Sequence, residues 1–125
     1  MKDIIFCTNV HSQRDVEHAV KNVEHMNQLY NYPETFIVSN GIEDMPVMTE
    51  NVTFKKFPTN TDWRFGPTNS TLNCLRLAAE SINDPENYNI IFVHPDVYVQ
   101  DYIKVNEFLK ELDEYDFICR NYIGP

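Results

Sequence analysis

The chain has 125 residues, with 10 Lys and Arg against 19 Asp and Glu, and a formal net charge of −9 at pH 7. At this length we expect one domain, residues 1–125, which buries about two thirds of the surface of the unfolded chain and needs no disulfide framework. An acidic chain without clustered basic side chains cannot neutralise phosphates, so we expect no nucleic-acid partner.

The cysteines and the N-terminal residues bear on the compartment. Cys7, Cys74 and Cys119 each lie in an apolar segment and form no C-x-x-C pair, so we interpret them as reduced thiols of the core. Residues 1–3 lead into a short apolar run that is unlike a signal peptide. Since no apolar run approaches the roughly 20 residues that cross a bilayer, the sequence favours a cytoplasmic protein without a transmembrane segment.

Five short runs rich in β-branched and aromatic residues predict strands. They cover residues 4–7, 36–38, 52–57, 90–93 and 117–119. The first and fourth runs are apolar at consecutive positions, which is typical of strands covered by helices on both faces, so we expect them at the centre of a sheet. The third alternates less cleanly and is expected nearer an edge.

Apolar residues at three- and four-residue steps predict three helices between these strands. The patterns run from Val16 to Tyr30, from Leu72 to Ile82 and from Tyr102 to Leu112. Ser12 followed by Asp15 predicts a cap for the first helix, whose His18 and His25 lie opposite its valines and are expected to face solvent. The alternation predicts an α/β fold, an open and mostly parallel Rossmann-like sheet with helices on both faces, whose ligands bind beyond the carboxyl ends of the strands.

Several phosphate-binding motifs are absent from the sequence. The first strand-to-helix turn, residues 8–12, reads TNVHS and has no glycine, whereas a dinucleotide pyrophosphate needs glycines there. The P-loop pattern is missing, as are the acidic pair, the Asp and the Lys of a phospho-receiver domain. A nicotinamide cofactor and P-loop ATPase or GTPase chemistry are therefore not expected.

A carboxylate follows the fourth strand, where residues 89–99 read NIIFVHPDVYV. Pro95 ends the strand and leaves His94 and Asp96 at the ligand-binding end of the sheet. Asp96 is our candidate ligand for Mg²⁺ or Mn²⁺ on a diphosphate, and the alternative is an Asx-type turn cap. His94 either contacts a phosphate or orients the carboxylate, or it is a buried structural histidine.

The segment from Gly66 through Asn73 to the run 94–97, HPDV, resembles the GT-A-type glycosyltransferases. It is most similar to a family-2-like subgroup, in which an Asn-containing helix of small residues precedes a strand ending in a His-x-Asp-Val form of the Asp-x-Asp motif. The order of elements resembles the nucleotide-sugar-binding half of that fold over nearly the whole chain. The resemblance implies a truncated GT-A-like fold that binds a nucleotide-diphosphate sugar.

The resemblance also implies roles for individual residues. It places Asp96 on the Mn²⁺ or Mg²⁺ of the donor diphosphate, Thr8 and Asn9 in the nucleotide pocket, and Asn73 on a helix position facing the nucleotide. Asn40 falls near the position where such enzymes often use an Asp against the base or ribose. Tyr98 replaces the second acid of the strict motif, which implies either weaker metal binding or a site that needs no metal.

The loop after the third strand, residues 59–66, is expected near the same site. Its Arg64 is a candidate for a two-pronged contact with a diphosphate, and the alternative is a surface loop held by buried aromatic residues.

The sequence leaves the reaction open. A GT-A transferase has a second half with an acceptor pocket and a carboxylate base, and no base can be assigned here. One hypothesis is a glycosyltransferase, or its donor-binding domain, that transfers the sugar to an unknown acceptor. The alternative is a non-catalytic module that binds or sequesters a nucleotide or nucleotide sugar, including as a homo-oligomer with a shared pocket. A purely structural α/β domain would bind no nucleotide.

Overall fold

A computed structural model describes residues 2–39, 44–57, 66–99 and 102–114, with no account of the side chains of 66–68. The elements, in chain order, are β1 (Asp3–Val10), α1 (Gln13–Tyr30), β2 (Glu34–Ser39), β3 (Val52–Lys56), α2 (Gly66–Ser81), a 3₁₀ turn (Pro85–Asn87), β4 (Tyr88–Phe92) and α3 (Tyr102–Glu111). The predicted fifth strand, 117–119, lies outside the described residues.

The four strands form one sheet in the order β3-β2-β1-β4, and every neighbouring pair is parallel. This arrangement confirms the predicted α/β class with a parallel sheet. All four strands end at the same side of the sheet, which we call the carboxyl edge. β1 occupies an inner position and β3 an outer one, as predicted. β4, expected at the centre, is the outer strand at the other side of the sheet that the described residues form, and its Ile90 is 37% exposed.

Helices cover both faces of the sheet. Successive side chains of a strand point to opposite faces, so the apolar strands present apolar side chains on both. Phe6 and Val10 of β1 point to one face, where they pack with Val23 and Met26 of α1. Side chains from the opposite face of β1 and β2 pack with Cys74 and Ala78 of α2; they are Ile5, Cys7, Phe36 and Val38. Full burial of an aliphatic or aromatic side chain contributes roughly 1.5–3 kcal/mol, so these two layers hold α1 and α2 against the sheet.

The two ends of α1 are fixed by local hydrogen bonds. The predicted cap is confirmed, since Ser12 Oγ accepts a hydrogen bond from the Asp15 N–H at 3.2 Å and Asp15 Oδ2 accepts one from the His11 N–H at 2.9 Å. At the other end Asn31 takes the left-handed conformation, with φ of 55°, which Asn tolerates better than most residues. α1 therefore starts directly beyond β1, at the carboxyl edge.

The prediction that His18 and His25 face solvent is wrong. His18 Nδ1 lies 2.6 Å from the Tyr98 hydroxyl, and His25 Nε2 hydrogen-bonds to the C=O of Val99, which requires the proton on Nε2. Both histidines do lie away from the sheet-facing valines. After β4, however, the chain folds back beside α1 and covers this flank, which the helical periodicity of α1 alone does not reveal.

No helix within these described ranges is long and apolar enough to cross a membrane.

Candidate functional site at the carboxyl edge

A tight turn at the end of β4 presents the two residues that the sequence singles out. The Val93 N–H donates to the Cys7 C=O at 3.2 Å, and the Val97 N–H then donates to the His94 C=O at 3.0 Å. Pro95 takes the second position of this β-turn, for which its fixed φ is suited, and Asp96 the third. The Asp96 and His94 side chains are exposed. The turn 94–97, which we call the Asp96 turn, thus carries both residues at the carboxyl edge.

Buried side chains hold the Asp96 turn on both sides. Thr8 Oγ1 donates to the Val93 C=O at 2.8 Å, and Asn22 Nδ2 of α1 donates to the Val97 C=O at 2.7 Å. Thr8 and Asn22 are both fully buried. Thr8 is therefore adjacent to the predicted site, but its hydroxyl proton is already donated to the backbone of Val93.

Asn9 has a buried carboxamide side chain at the end of β1. It is 1% exposed, and neither its Oδ1 nor its Nδ2 has a hydrogen bond among the described residues. It lies on the same face of β1 as Ile5 and Cys7, against α2. A buried polar group left without a partner costs about 1–3 kcal/mol, and such groups usually mark a bound water, ion or ligand.

Two more polar side chains, Ser70 and His94, lie at the same end of the sheet as Asn9. Ser70 lies one helical turn before Cys74, whose Sγ is 3.4 Å from the Thr8 C=O. The buried Oγ of Ser70, like the Asn9 amide, has no partner in the described ranges. His94 shares a face with Phe92, since the two rings meet edge to face with centroids 6.1 Å apart.

The register of the sheet relates His94 to Asn9. Phe92 is paired with Cys7 across β1 and β4. Asn9 follows Cys7 by two residues on the same face of β1, and His94 follows Phe92 by two residues just beyond the end of β4. We call Asn9, Ser70 and His94 the Asn9 cluster. Their chemistry comprises an amide with donor and acceptor, a hydroxyl and an imidazole, which together suit a polar or anionic ligand.

Three predicted site residues remain, which are Asn73, Asn40 and Arg64. Asn73 is half-buried on α2, beside Cys74 and therefore close to the level of Thr8. Asn40 and Arg64 lie outside the described residues. The structure thus brings Thr8, Asn9 and Asn73 to the same end of the sheet as the Asp96 turn.

Two residues of this region were not singled out from the sequence. Asn22 lies next to Val23, at a helical position on the apolar side of α1. A polar residue at such a position was the available signal of a buried contact. Ser70 precedes Cys74 and Ala78 at four-residue steps, a small-residue stripe that allows α2 to pack closely on the sheet.

The Cys7 and Cys74 thiols are free and buried, as predicted, and Cys119 lies outside the described residues. A hydrogen bond with Cys74, together with burial, raises the pKa of the Cys7 thiol far above its usual range. Because the thiolate is the reactive form, Cys7 is a packing residue rather than a nucleophile.

Comparisons of the chain with known protein families, with curated proteins and with solved structures found no match. The functional assignment consequently rests on the geometry of the carboxyl edge.

Proposed function

We propose that the chain is the nucleotide-sugar-binding half of a GT-A-type glycosyltransferase, which binds a nucleotide-diphosphate sugar at the carboxyl edge with Mn²⁺ or Mg²⁺ for transfer to an acceptor. The observation that carries this proposal is the Asn9 carboxamide, which is buried at the end of an inner strand and whose two polar atoms have no partner among the described residues. Parallel α/β sheets bind ligands at this edge.

A nucleotide fits the chemistry of the Asn9 cluster. The hydrogen-bonding edge of a base carries a donor next to an acceptor, which complements the Oδ1 and Nδ2 of an Asn side chain. The Ser70 hydroxyl can donate or accept beside it, and the exposed His94 imidazole can donate to a phosphate oxygen. A ligand held in this way removes the cost of leaving Asn9 and Ser70 unpaired.

The donor set around Asp96 fits a cation that is only partly held by protein. The described residues include no group of three His, Cys, Asp or Glu side chains placed to share a metal ion. Mg²⁺ commonly keeps several waters and binds one or two carboxylates together with substrate phosphates. Asp96 would thus hold the cation jointly with the diphosphate, and the cation would neutralise charge on the leaving group.

Binding without transfer is the second candidate function, and the other carboxylates near this edge favour it. Asp15 accepts a hydrogen bond from the His11 N–H, and Asp44 forms a 2.8 Å ion pair with Lys56. Both carboxylates already interact within the chain, and neither is assigned as the base that deprotonates an acceptor hydroxyl. Release of the nucleoside diphosphate from a bound donor, in the presence of acceptor sugars, separates a transferase from a binding module.

Calorimetric titration tests the binding site directly. The wild-type chain is titrated with UDP-, GDP-, CDP- and dTDP-sugars in Mn²⁺, Mg²⁺ or EDTA, and we expect metal-dependent binding with a preference for one base. Asp96→Asn should weaken binding in metal by about tenfold or more, because a contact to a charged group is worth roughly 1.5–3 kcal/mol.

Asp113→Asn is the matched control, since Asp113 is an exposed carboxylate just beyond α3. It should bind as the wild type does. Absence of binding to every donor, or metal-dependent binding that survives in Asp96→Asn, would contradict the proposed site.

A further inference from the structure

One flank of α1 holds the chain segment that leaves the Asp96 turn. His18, Asn22 and His25 follow one another at steps of four and three residues, and residues with this spacing share a face of a helix. They contact three consecutive residues, with Asn22 on the Val97 C=O, His18 on the Tyr98 hydroxyl and His25 on the Val99 C=O.

Asn22 differs from its two neighbours because it is completely buried. Its Nδ2 donates the 2.7 Å bond to Val97, while its Oδ1 has no partner in the described part of the chain. Burying half of a carboxamide unpaired costs stability, and leucine, which has the same branched shape without the polar atoms, would avoid that cost. The asparagine donates a hydrogen bond to the Val97 C=O, which a leucine cannot do.

The hydrogen bond from Asn22 to Val97 fixes the peptide units around Asp96. The Val97 N–H closes the turn on the His94 C=O at 3.0 Å, and the Val97 C=O is bound by Asn22. Both backbone polar groups of the residue after Asp96 are therefore fixed. On the other side of the turn Thr8 fixes the Val93 C=O.

We propose that Asn22 is a positioning residue that keeps the Asp96 turn in its ligand-binding geometry before any ligand arrives. A ligand that meets an ordered turn does not have to offset the cost of ordering it, so affinity is higher. The effect on ligand rests on the proposed function, whereas the effect on the turn itself does not.

The test compares Asn22→Leu with Asn27→Leu. Asn27 lies on the same helix and is 8% exposed, but its side chain bonds to Thr49 and Asn51, remote from the Asp96 turn. Amide hydrogen exchange by NMR reports the order of the turn through the Val97 N–H. We expect its protection factor to fall by about tenfold or more in Asn22→Leu, as for loss of a contact of about 1.4 kcal/mol, and to stay unchanged in Asn27→Leu.

Binding gives the second readout. Each variant is titrated with UDP, GDP, CDP and dTDP in Mn²⁺ and in EDTA. The gain in affinity from Mn²⁺ should fall about tenfold in Asn22→Leu and remain in Asn27→Leu, whereas a merely structural role would lower both in proportion to lost stability.

Asn22→Asp provides an independent variant of nearly the same shape. The carboxylate cannot donate to Val97, but the protonated acid can, and burial raises the pKa of such a carboxyl group. Protection of the Val97 N–H should therefore be low at alkaline pH and return as the pH falls.

Wild-type protection of Val97 in Asn22→Leu, or equal losses in the two leucine variants, would overturn the positioning role. Absence of metal-dependent nucleotide binding by the wild type would overturn the proposed function instead, and the protection of Val97 would then decide the role of Asn22 by itself.

Discussion

The Thr8 hydroxyl donates a 2.8 Å hydrogen bond to the C=O of Val93, which joins the end of β1 to the residue just before the Asp96 turn. The next residue of β1, Asn9, points to the opposite face and has no partner among the described residues. Two adjacent polar residues at the end of one strand therefore have different roles. Thr8 stabilises the scaffold, and we propose that Asn9 contacts the ligand.

Replacing Thr8 by valine tests the contribution of the Thr8 hydroxyl to stability and to the Asp96 turn. Thr8→Val keeps the side-chain volume but leaves the Val93 C=O without this donor, which should destabilise the fold by about 1–2 kcal/mol and lower Tm by several degrees in a calorimetric scan. Because the Asp96 turn loses one of its two fixed sides, metal-dependent nucleotide binding should weaken as well.

Thr35→Val is the matched control for that variant. Thr35 is also a fully buried strand threonine, but its Oγ1 donates to the nearby Pro33 C=O, at the other end of the sheet. It should lose a comparable amount of stability and bind nucleotides normally once folded. Equal losses of binding in both variants would show that Thr8 acts through global stability alone.

The N-cap of α1 offers a second test of local energetics. Ser12→Ala removes the oxygen that accepts from the Asp15 N–H and should cost about 1 kcal/mol in urea unfolding, while Ser12→Asp should retain most of the cap. An alanine variant as stable as the wild type would mean that the Asp15 carboxylate, bound to the His11 N–H, secures this helix end without Ser12.

Local patterns predicted most of the fold. The continuous apolar run Ile4 to Cys7 placed β1 inside the sheet, because both of its faces had to be covered, and Ser12 with Asp15 marked the start of α1. The flank of α1 could not be predicted in the same way. The bond from Asn22 to Val97 joins residues 75 positions apart, and helical periodicity reports only the direction of the sheet.

Local patterns also predicted where the Asp96 turn lies. Pro95 marked the end of a strand, so Asp96 could be assigned to the carboxyl edge from the sequence. Thr8 and Asn9 could not be distinguished, since either is a plausible ligand contact by composition. The structure separates them, because Thr8 donates to the Val93 C=O and Asn9 is buried on the opposite face of β1 without a partner among the described residues.

The Cys7 thiol should be unreactive in the folded protein. A hydrogen bond with Cys74, and then burial, raises its pKa, so little thiolate forms near neutral pH. Iodoacetamide treatment followed by peptide mass spectrometry should leave Cys7 unmodified in the native state and alkylate it in guanidinium chloride. Rapid native modification of Cys7 would contradict the buried arrangement.

The same shift makes stability depend on pH in the alkaline range. The native state keeps Cys7 protonated, whereas the unfolded chain ionises it near the ordinary thiol pKa of 9.0. The unfolded state therefore gives up protons first, and the free energy of unfolding should decrease above about pH 9 by up to about 1.4 kcal/mol per pH unit from this group. Cys7→Ala should have a shallower slope in urea titrations between pH 9 and pH 10, and an unchanged slope would assign the loss to other groups.

Replacing Asn9 by leucine should raise stability while it abolishes binding. Leucine branches at Cγ as asparagine does, with bulkier methyl groups, and removes two buried polar atoms that have no partner among the described residues. The free energy of unfolding should increase by about 1–3 kcal/mol, as measured in urea, and nucleotide-sugar binding in Mn²⁺ should be lost in calorimetric titrations.

A stabilised protein that no longer binds distinguishes a ligand contact from a structural amide. If Asn9 were instead satisfied by an ordered internal water, Asn9→Leu would displace that water, lose its hydrogen bonds and destabilise the fold. The Ser70→Ala variant extends the comparison, since the Ser70 Oγ is likewise buried and has no partner in the part of the chain that the structure describes. It should leave stability unchanged or slightly raised and weaken binding less than Asn9→Leu, because it removes one hydrogen-bonding group rather than two.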